Sequence, residues 1–313
     1  MRLVIVTIAA VVFGLAQPPQ REVAVTFDDL PIAGVLPRDI ASSRTLTDQL
    51  LGAIAAHHVP VAGFVNESKL AGDGGAVDPD RVALLRRWLD AGLELGNHTY
   101  SHADFHTASL ADFEADVING EATTRRLLEE RGRTLRFFRH PFLHTGRDLA
   151  ARAAFERFLA DHGYRIAPVT IDNDEYIFAG AYDRTLQRGD AGTARRVADA
   201  YVPYMEAKTA YFERNEQELF GRPIRHVLLV HANMLNAERF GDLATMFERR
   251  GYRFITLERA LEDPAYTSED TYAGSGGITW LHRWALTRKM PKAFFAGEPD
   301  VPAFVAENAR TPH

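Results

Sequence analysis

Cysteine is absent from the 313 residues. That excludes disulfides, a thiol nucleophile and thiolate metal ligation, so any metal must be held by histidine and carboxylates. An excess of one charge is also missing, with 36 basic residues against 42 acidic ones and a net charge of −6. Such a balance leaves no basic footprint, and nucleic acid is not expected as a partner. No glycine-rich phosphate loop follows the first strand-like run. The long apolar run Leu3–Phe13 is too short for a comfortable membrane span. Arg2 precedes it and Gly14 and Ala16 follow, which is the pattern of an export signal at residues 1–16. Cleavage after Ala16 and a periplasmic or secreted location are expected. Without a cysteine after the run, no lipoprotein anchor is possible, and no stable membrane anchor is expected once the signal is removed.

What is present reads as one large α/β domain. The composition, 46% hydrophobic and 25% charged, is ordinary for a globular chain. Strand-like runs fall at Val23–Phe27, Val61–Val65, Leu93–Gly96, Leu135–Phe138, Tyr164–Ile171, Val227–Val230 and Tyr252–Ile255. Helix-like stretches lie near 42–56, 80–91, 109–131, 147–162, 192–219 and 237–250. Ser109 with Asp112 has the pattern of an N-terminal cap, and Gly92, Gly132, Gly163 and Gly251 stand where left-handed C-caps fall. Strands alternating with helices predict a parallel sheet, here a distorted (β/α) barrel of about seven units. The barrel is expected over residues 17–262. From 263 to 313 the rhythm breaks, with "TYAGSGGITWLHRW" and a Pro-bearing tail, and a C-terminal extension packed on the barrel is expected.

The residues after each run carry the chemistry. In a parallel barrel the carboxyl ends of the strands converge on one face. "VAVTF" leads to Asp28 and Asp29, "LELGN" to His98 and His102, and "LRFF" to "RHPF", Arg139 to Phe142. "RIAPVTI" leads to "DNDEY", Asp172 to Tyr176, and "HVLLV" leads to His231. Taken singly, paired aspartates suit a solvated turn, His231 a core position and Arg139 a surface ion pair. Five strand ends together point to a site. His98 and His102 are four apart, the spacing of one face of a helical turn. With Asp29 they make a three-ligand set that leaves room for water and substrate, as catalytic zinc requires. His106 continues the spacing, so the pair His102 and His106 competes. His57, His58, His162, His226 and His282 are assigned to structure or surface.

Together "TFDD", "HTYSH", "RHPF", "DNDEY" and "LLVH" resemble the five ordered motifs of the polysaccharide deacetylases, also called the NodB homology domain or carbohydrate esterase family four. The resemblance spans about residues 22 to 260. It implies Asp28 as general base and Asp29, His98 and His102 as ligands of a divalent metal, most often Zn2+, with Co2+ possible. It implies His231 as general acid and Arg139 as the residue orienting the base. Phe142, through its backbone amide, Tyr176 and Leu229 fall at substrate-binding positions. The third motif commonly ends in Tyr, where Phe142 stands. The fourth commonly reads Asp-x-x-Asp-Trp; here Glu175 and Tyr176 fill the last two places. Support for Arg139 therefore falls to Asp172, Asp174 or Glu175.

The implied reaction is metal-dependent removal of acetyl groups from N-acetylated sugars. A divalent cation polarises the amide carbonyl and lowers the pKa of its water from about 15.7 toward 7. That answers the repulsion between Asp28 and Asp29, since a cation stands between them. The expected substrate is an N-acetylglucosamine polymer or oligosaccharide, as in peptidoglycan, chitin or exopolysaccharide. The alternatives are hydrolysis of a small non-sugar amide or acetyl ester, and a carbohydrate-binding barrel without turnover. Tyr100, Phe105, Trp280 and Trp284 offer further aromatic faces, for which packing is the commoner use.

Overall fold

The structure, a computed structural model, describes residues 21–310 apart from 35, 37, 38 and 73. The expected export segment, residues 1–16, lies outside the described residues. Seven strands form one sheet: β1 (Arg21–Leu30), β2 (Ala62–Val65), β3 (Glu94–Asn97), β4 (Phe137–Phe138), β5 (Arg165–Ile166), β6 (Arg225–His231) and β7 (Tyr252–Phe254). Every pairing is parallel, in the order β5-β4-β3-β2-β1-β6, with β7 on the first residues of β1. The sheet curls until Ile171, beyond β5, bridges to Leu228 on β6. The fold is thus the distorted (β/α) barrel that the alternation predicts.

Strand alternation sorts the side chains into two cores. Ala24, Phe64, Phe137, Ala167 and Val227 fill the barrel, and Ile255, Leu257 and Ala260 pack with them. Val23, Val25 and Phe27 face outward into the larger core beneath the helices. Burying a side chain of Val or Phe size contributes about 1.5–3 kcal/mol, so a one-residue slip of β1 would forfeit several of these contacts at once. Asp28 shares the inner face with Ala24 and Thr26, four and two residues before it. Register alone therefore delivers this carboxylate to the barrel mouth.

The helices are α1 (Ile40–Ala56), α2 (Pro79–Asp90), α3 (Leu110–Asn119), α4 (Ala122–Glu129), α5 (Leu149–Asp161), α6 (Glu175–Gln187), α7 (Ala191–Phe220) and α8 (Met234–Arg249). Three departures from the sequence pattern bear on the site. The single helix expected over 109–131 is two, broken at Gly120. A Cβ there would stand 2.4 Å from backbone atoms of Thr99 and Tyr100, so the break admits the loop that carries the histidines. The strand expected over Tyr164–Ile171 is interrupted: Pro168 has no N–H, and the chain leaves β4 and rejoins β6 at Thr170 and Ile171. Helix α6 has no counterpart among the expected helices. It opens on the acidic run itself, with Glu175 in the first turn, where a carboxylate favours the helix dipole.

The C-terminal region adds α9 (Leu257–Ala260), α10 (Trp280–Thr287) and α11 (Ala303–Ala309). Trp280, Leu281, Trp284, Phe294 and Val305 belong to the same core cluster as the barrel's outer face. Phe105, Trp280 and Trp284 are buried, so their aromatic surface is used in packing. Among the described residues no helix is long and apolar enough to cross a membrane.

Candidate active site

Asp28, Asp29, His98, His102, His140, Phe142, Leu143, Asp172, Asn173, Tyr176, Leu229 and His231 line one cavity of about 370 Å³ at the barrel mouth. Of the expected site residues, Arg139 and Glu175 lie behind this lining. Backbone strain concentrates here. Asp29, Thr99, His102, Phe142 and Leu143 all have φ between 55° and 68°, the left-handed region that non-glycine residues seldom enter. The 98–102 segment is therefore a loop, not a helical turn, and the i,i+4 reasoning does not describe how its histidines meet.

They meet nonetheless. Nε2 of His98 and of His102 stand 3.7 and 3.5 Å from Asp29 Oδ1. That oxygen is buried and has no hydrogen-bond partner. Tetrahedral zinc with bonds of about 2.0–2.2 Å sets its ligand atoms about 3.3–3.6 Å apart, so these three groups fit a divalent cation. His98 Nδ1 meets the Arg139 carbonyl at 2.8 Å. A carbonyl only accepts, so Nδ1 carries the proton and Nε2 presents its lone pair to the site. Burial lowers the pKa of both histidines, keeping them in the neutral form that a metal requires. Burial alone would raise the Asp29 pKa; Lys69 and the surrounding histidines outweigh it and hold the carboxyl well below its usual range.

His106, which competes with His98 on spacing, gathers instead with Asp104 and His144, a second group apart from His102. The rings of His106 and His144 stack 3.9 Å apart and 9° from parallel, whereas those of His98 and His102 cross at 74°. Imidazole lone pairs lie in the ring plane, so parallel stacked rings cannot converge on one ion. Crossed rings can.

Asp28 is buried. Its Oδ2 accepts from Arg139 Nη1 at 3.2 Å, and its Oδ1 has no partner. Desolvation pushes its pKa up to about 6 against the lowering pull of Arg139 and His231. Arg139 is fully buried over the face of Phe64, and it donates to Thr26 Oγ1 at 2.9 Å and to the Ala167 carbonyl at 2.7 Å. Its planar fork thus holds Asp28 and Thr26, neighbours on the inner face of β1.

None of the three carboxylates considered for Arg139 is hydrogen-bonded to it among the described residues. Glu175 instead lies against His231, Oε2 to Nδ1, at 2.6 Å. Asn233 and Asn236 donate to its other oxygen. The reason is α6: its first turn points Glu175 inward beneath β6. Desolvation would lower the His231 pKa, but Glu175 reverses the sign and raises it to about 9. Asp174 bonds to Tyr204 and pairs with Lys208. Asp172 faces the cavity, its pKa pushed up to about 7 by burial.

Phe142 and Tyr176 are 53% and 60% exposed and form an aromatic rim; the Phe142 ring also meets His102 edge-on at 4.4 Å. Leu229 lies in the wall, its carbonyl accepting from Asn173. Sequence reasoning missed Thr26, Lys69, His140, Asn233 and Asn236. Strand alternation could have found Thr26, and the stretch "HANMLN" could have found the asparagines. Lys69 arrives on a short turn after β2 and carries no signal.

Residues 16–164 match the polysaccharide deacetylase family. A chitin deacetylase of Colletotrichum lindemuthianum is 30% identical over 154 residues, 49% of this chain and 52% of that protein. A chitooligosaccharide deacetylase of Sinorhizobium fredii (strain NBRC 101917 / NGR234) is 30% identical over 120 residues, 38% of this chain and 46% of that protein. The chain thus spans about half the length of the curated relatives it matches. The solved structure of the C. lindemuthianum chitin deacetylase aligns with a TM-score of 0.50 at 23% identity, over 79% of this chain and 90% of that one, a likeness of fold. Residues 16–164, which carry "TFDD", "HTYSH" and "RHPF", are thus similar to the polysaccharide deacetylases.

Proposed function

We propose that the chain is a metal-dependent hydrolase that removes acetyl groups from N-acetylated sugars. The observation that supports this most directly is the pairing at the end of β1. Asp29 turns one buried, unpartnered oxygen to two histidines, while Asp28 keeps a second unpartnered oxygen in the same cavity. Asp29, His98 and His102 would hold the cation, which supplies Lewis-acid polarisation of the amide carbonyl and a lowered water pKa.

The chain's own groups would do the rest. Asp28, ionised above about pH 6, takes the proton of the attacking water. The Phe142 N–H donates to the oxyanion. His231, protonated below about pH 9, gives its proton to the departing amine, and Glu175 orients it. The products are acetate and a free amino sugar. Phe142 and Tyr176 at the rim suit the face of a sugar ring. Substrate would be an N-acetylglucosamine polymer or oligosaccharide, in keeping with the names of the two relatives, a chitin deacetylase and a chitooligosaccharide deacetylase.

Acetate release from N-acetylglucosamine oligomers, with Zn2+ or Co2+ and with a chelator, tests this reading. Release that the chelator abolishes and metal restores is expected. Turnover only on simple amides or acetyl esters would move the substrate class, and saturable sugar binding without acetate would make the barrel a binding module. Export is part of the same proposal, and N-terminal mass analysis of the mature protein should find Gln17 first.

A further inference from the structure

The segment "TYAGSGGIT", residues 271–279, lies outside the part matched by the family and has no role in the chemistry above. It crosses the loop that carries Phe142. At Gly277 an added Cβ would stand 1.7 Å from the Phe142 carbonyl oxygen and 3.2 Å from the His144 ring. Only a residue without a side chain fits there. One position earlier, at Gly276, the nearest atom to an added Cβ is 3.5 Å away. Gly277 therefore presses on the backbone of a residue held at φ 56°, next to Leu143 at φ 55°.

The strap is seated by the second histidine cluster. Asp104 Oδ1 accepts from the His106 N–H at 2.7 Å and meets His144 Nδ1 at 2.7 Å. His106 stacks on His144, and the backbone of Ser275 and Gly146 acts electrostatically on its ring. Tyr272 closes the strap on itself, its hydroxyl donating to the Gly276 carbonyl at 3.0 Å. Beyond it, Trp280 N–H donates to Val169, and buried Arg283 donates to Thr145 Oγ1 on the same loop as Phe142. Strained backbone persists only where its surroundings over-determine it. Here the strap supplies that constraint.

We propose that residues 274–277 are a positioning strap that holds the Phe142 amide in its oxyanion-binding orientation, with Gly277 as the pressing residue and the Asp104–His144–His106 stack as its seat. The inference rests on the deacetylase reading only for the consequence in turnover. In Gly277→Ala the loop must shift, and kcat on N-acetylglucosamine oligomers should fall about 10–100-fold, below the 10²–10³ of a deleted oxyanion donor. Zinc content should stay within about twofold, because Asp29, His98 and His102 lie on other segments. Gly276→Ala should match the wild type. His106→Phe keeps the stack, removes the ring's polar influence on the backbone of Ser275, and should lower kcat several-fold with zinc content unchanged.

A structural readout makes the test independent of turnover. In protein labelled with 15N-phenylalanine, the Phe142 amide signal, assigned through Phe142→Leu, should move in Gly277→Ala and His106→Phe and stay in Gly276→Ala. Equal behaviour of Gly277→Ala and Gly276→Ala would overturn the proposal, as would loss of zinc from His106→Phe. If Gly277→Ala does not fold, His106→Phe decides alone by the same signal. A wild type that binds zinc yet releases no acetate defeats the deacetylase reading, and the amide signal still judges the strap.

Discussion

Asp28 and Asp29 are sequence neighbours with opposite electrostatics. Burial raises the pKa of one, and cationic neighbours lower that of the other. Asp29→Asn replaces a carboxylate with a weak neutral donor, so metal content should fall and excess zinc should restore part of the activity. Asp28→Asn should retain zinc and stay inactive across the same titration, a loss of about 10²–10⁴-fold if it is the general base. Elemental analysis with acetate release separates the two, and zinc rescue of Asp28→Asn would refute the division. Glu175 gives a second test. It raises the His231 pKa to about 9, so the imidazolium adds stability fully below about pH 6.5 and loses it as pH rises through 9. Glu175→Gln removes the charge that favours imidazolium. The alkaline limb of kcat/KM should move from about 9 toward 6.5, and stability should depend less on pH in that window. An unmoved limb would assign it to another group.

Among the elements, the loop 98–102 depends on a helix break several turns away in sequence. Tyr100 N–H donates to the Asp116 carbonyl, Ser101 N–H to the Asp116 side chain, and Gly120 leaves room for the loop backbone. In Gly120→Ala the new methyl group meets backbone rather than a flexible side-chain end, so either α3 or the loop must move. Overpacking of this kind costs about 1–3 kcal/mol. A lower melting temperature together with weaker zinc affinity is expected, since His98 and His102 bracket the displaced atoms. Destabilisation with zinc affinity intact would show that the helix yields and the loop does not. The periodicity near 109–131 shows an amphipathic helix but not its interruption, because the atoms that demand Gly120 come from Thr99 and Tyr100.

At the scale of the whole molecule, the C-terminal region is part of the core. Trp280, Leu281, Trp284, Phe294 and Val305 are buried with the barrel's outer face. Fully burying side chains of this size contributes about 1.5–3 kcal/mol each, so five together rival the net stability of a domain, about 5–15 kcal/mol. Ending the chain at Asp263 should leave a product without a cooperative thermal transition. A truncated chain that melts like the full one would make the region an independent appendage.

The sequence by itself determined the parallel alternation of strands and helices, the barrel and the meeting of five strand ends at one mouth. Periodicity and capping are local signals, and parallel topology then dictates which ends of the strands converge. It also marked Asp29, His98 and His102 as the expected metal group, with His102 and His106 as a rival pair. Tertiary structure decided what depends on direction. The crossed rings of His98 and His102 and the stacked rings of His106 and His144 differ in orientation, which spacing does not encode. Glu175 belongs to His231 and not to Arg139 because α6 begins at that residue and turns it inward. Lys69 and Gly277 reach the site from distant segments, and a contact between segments far apart in the chain leaves no periodic trace in either.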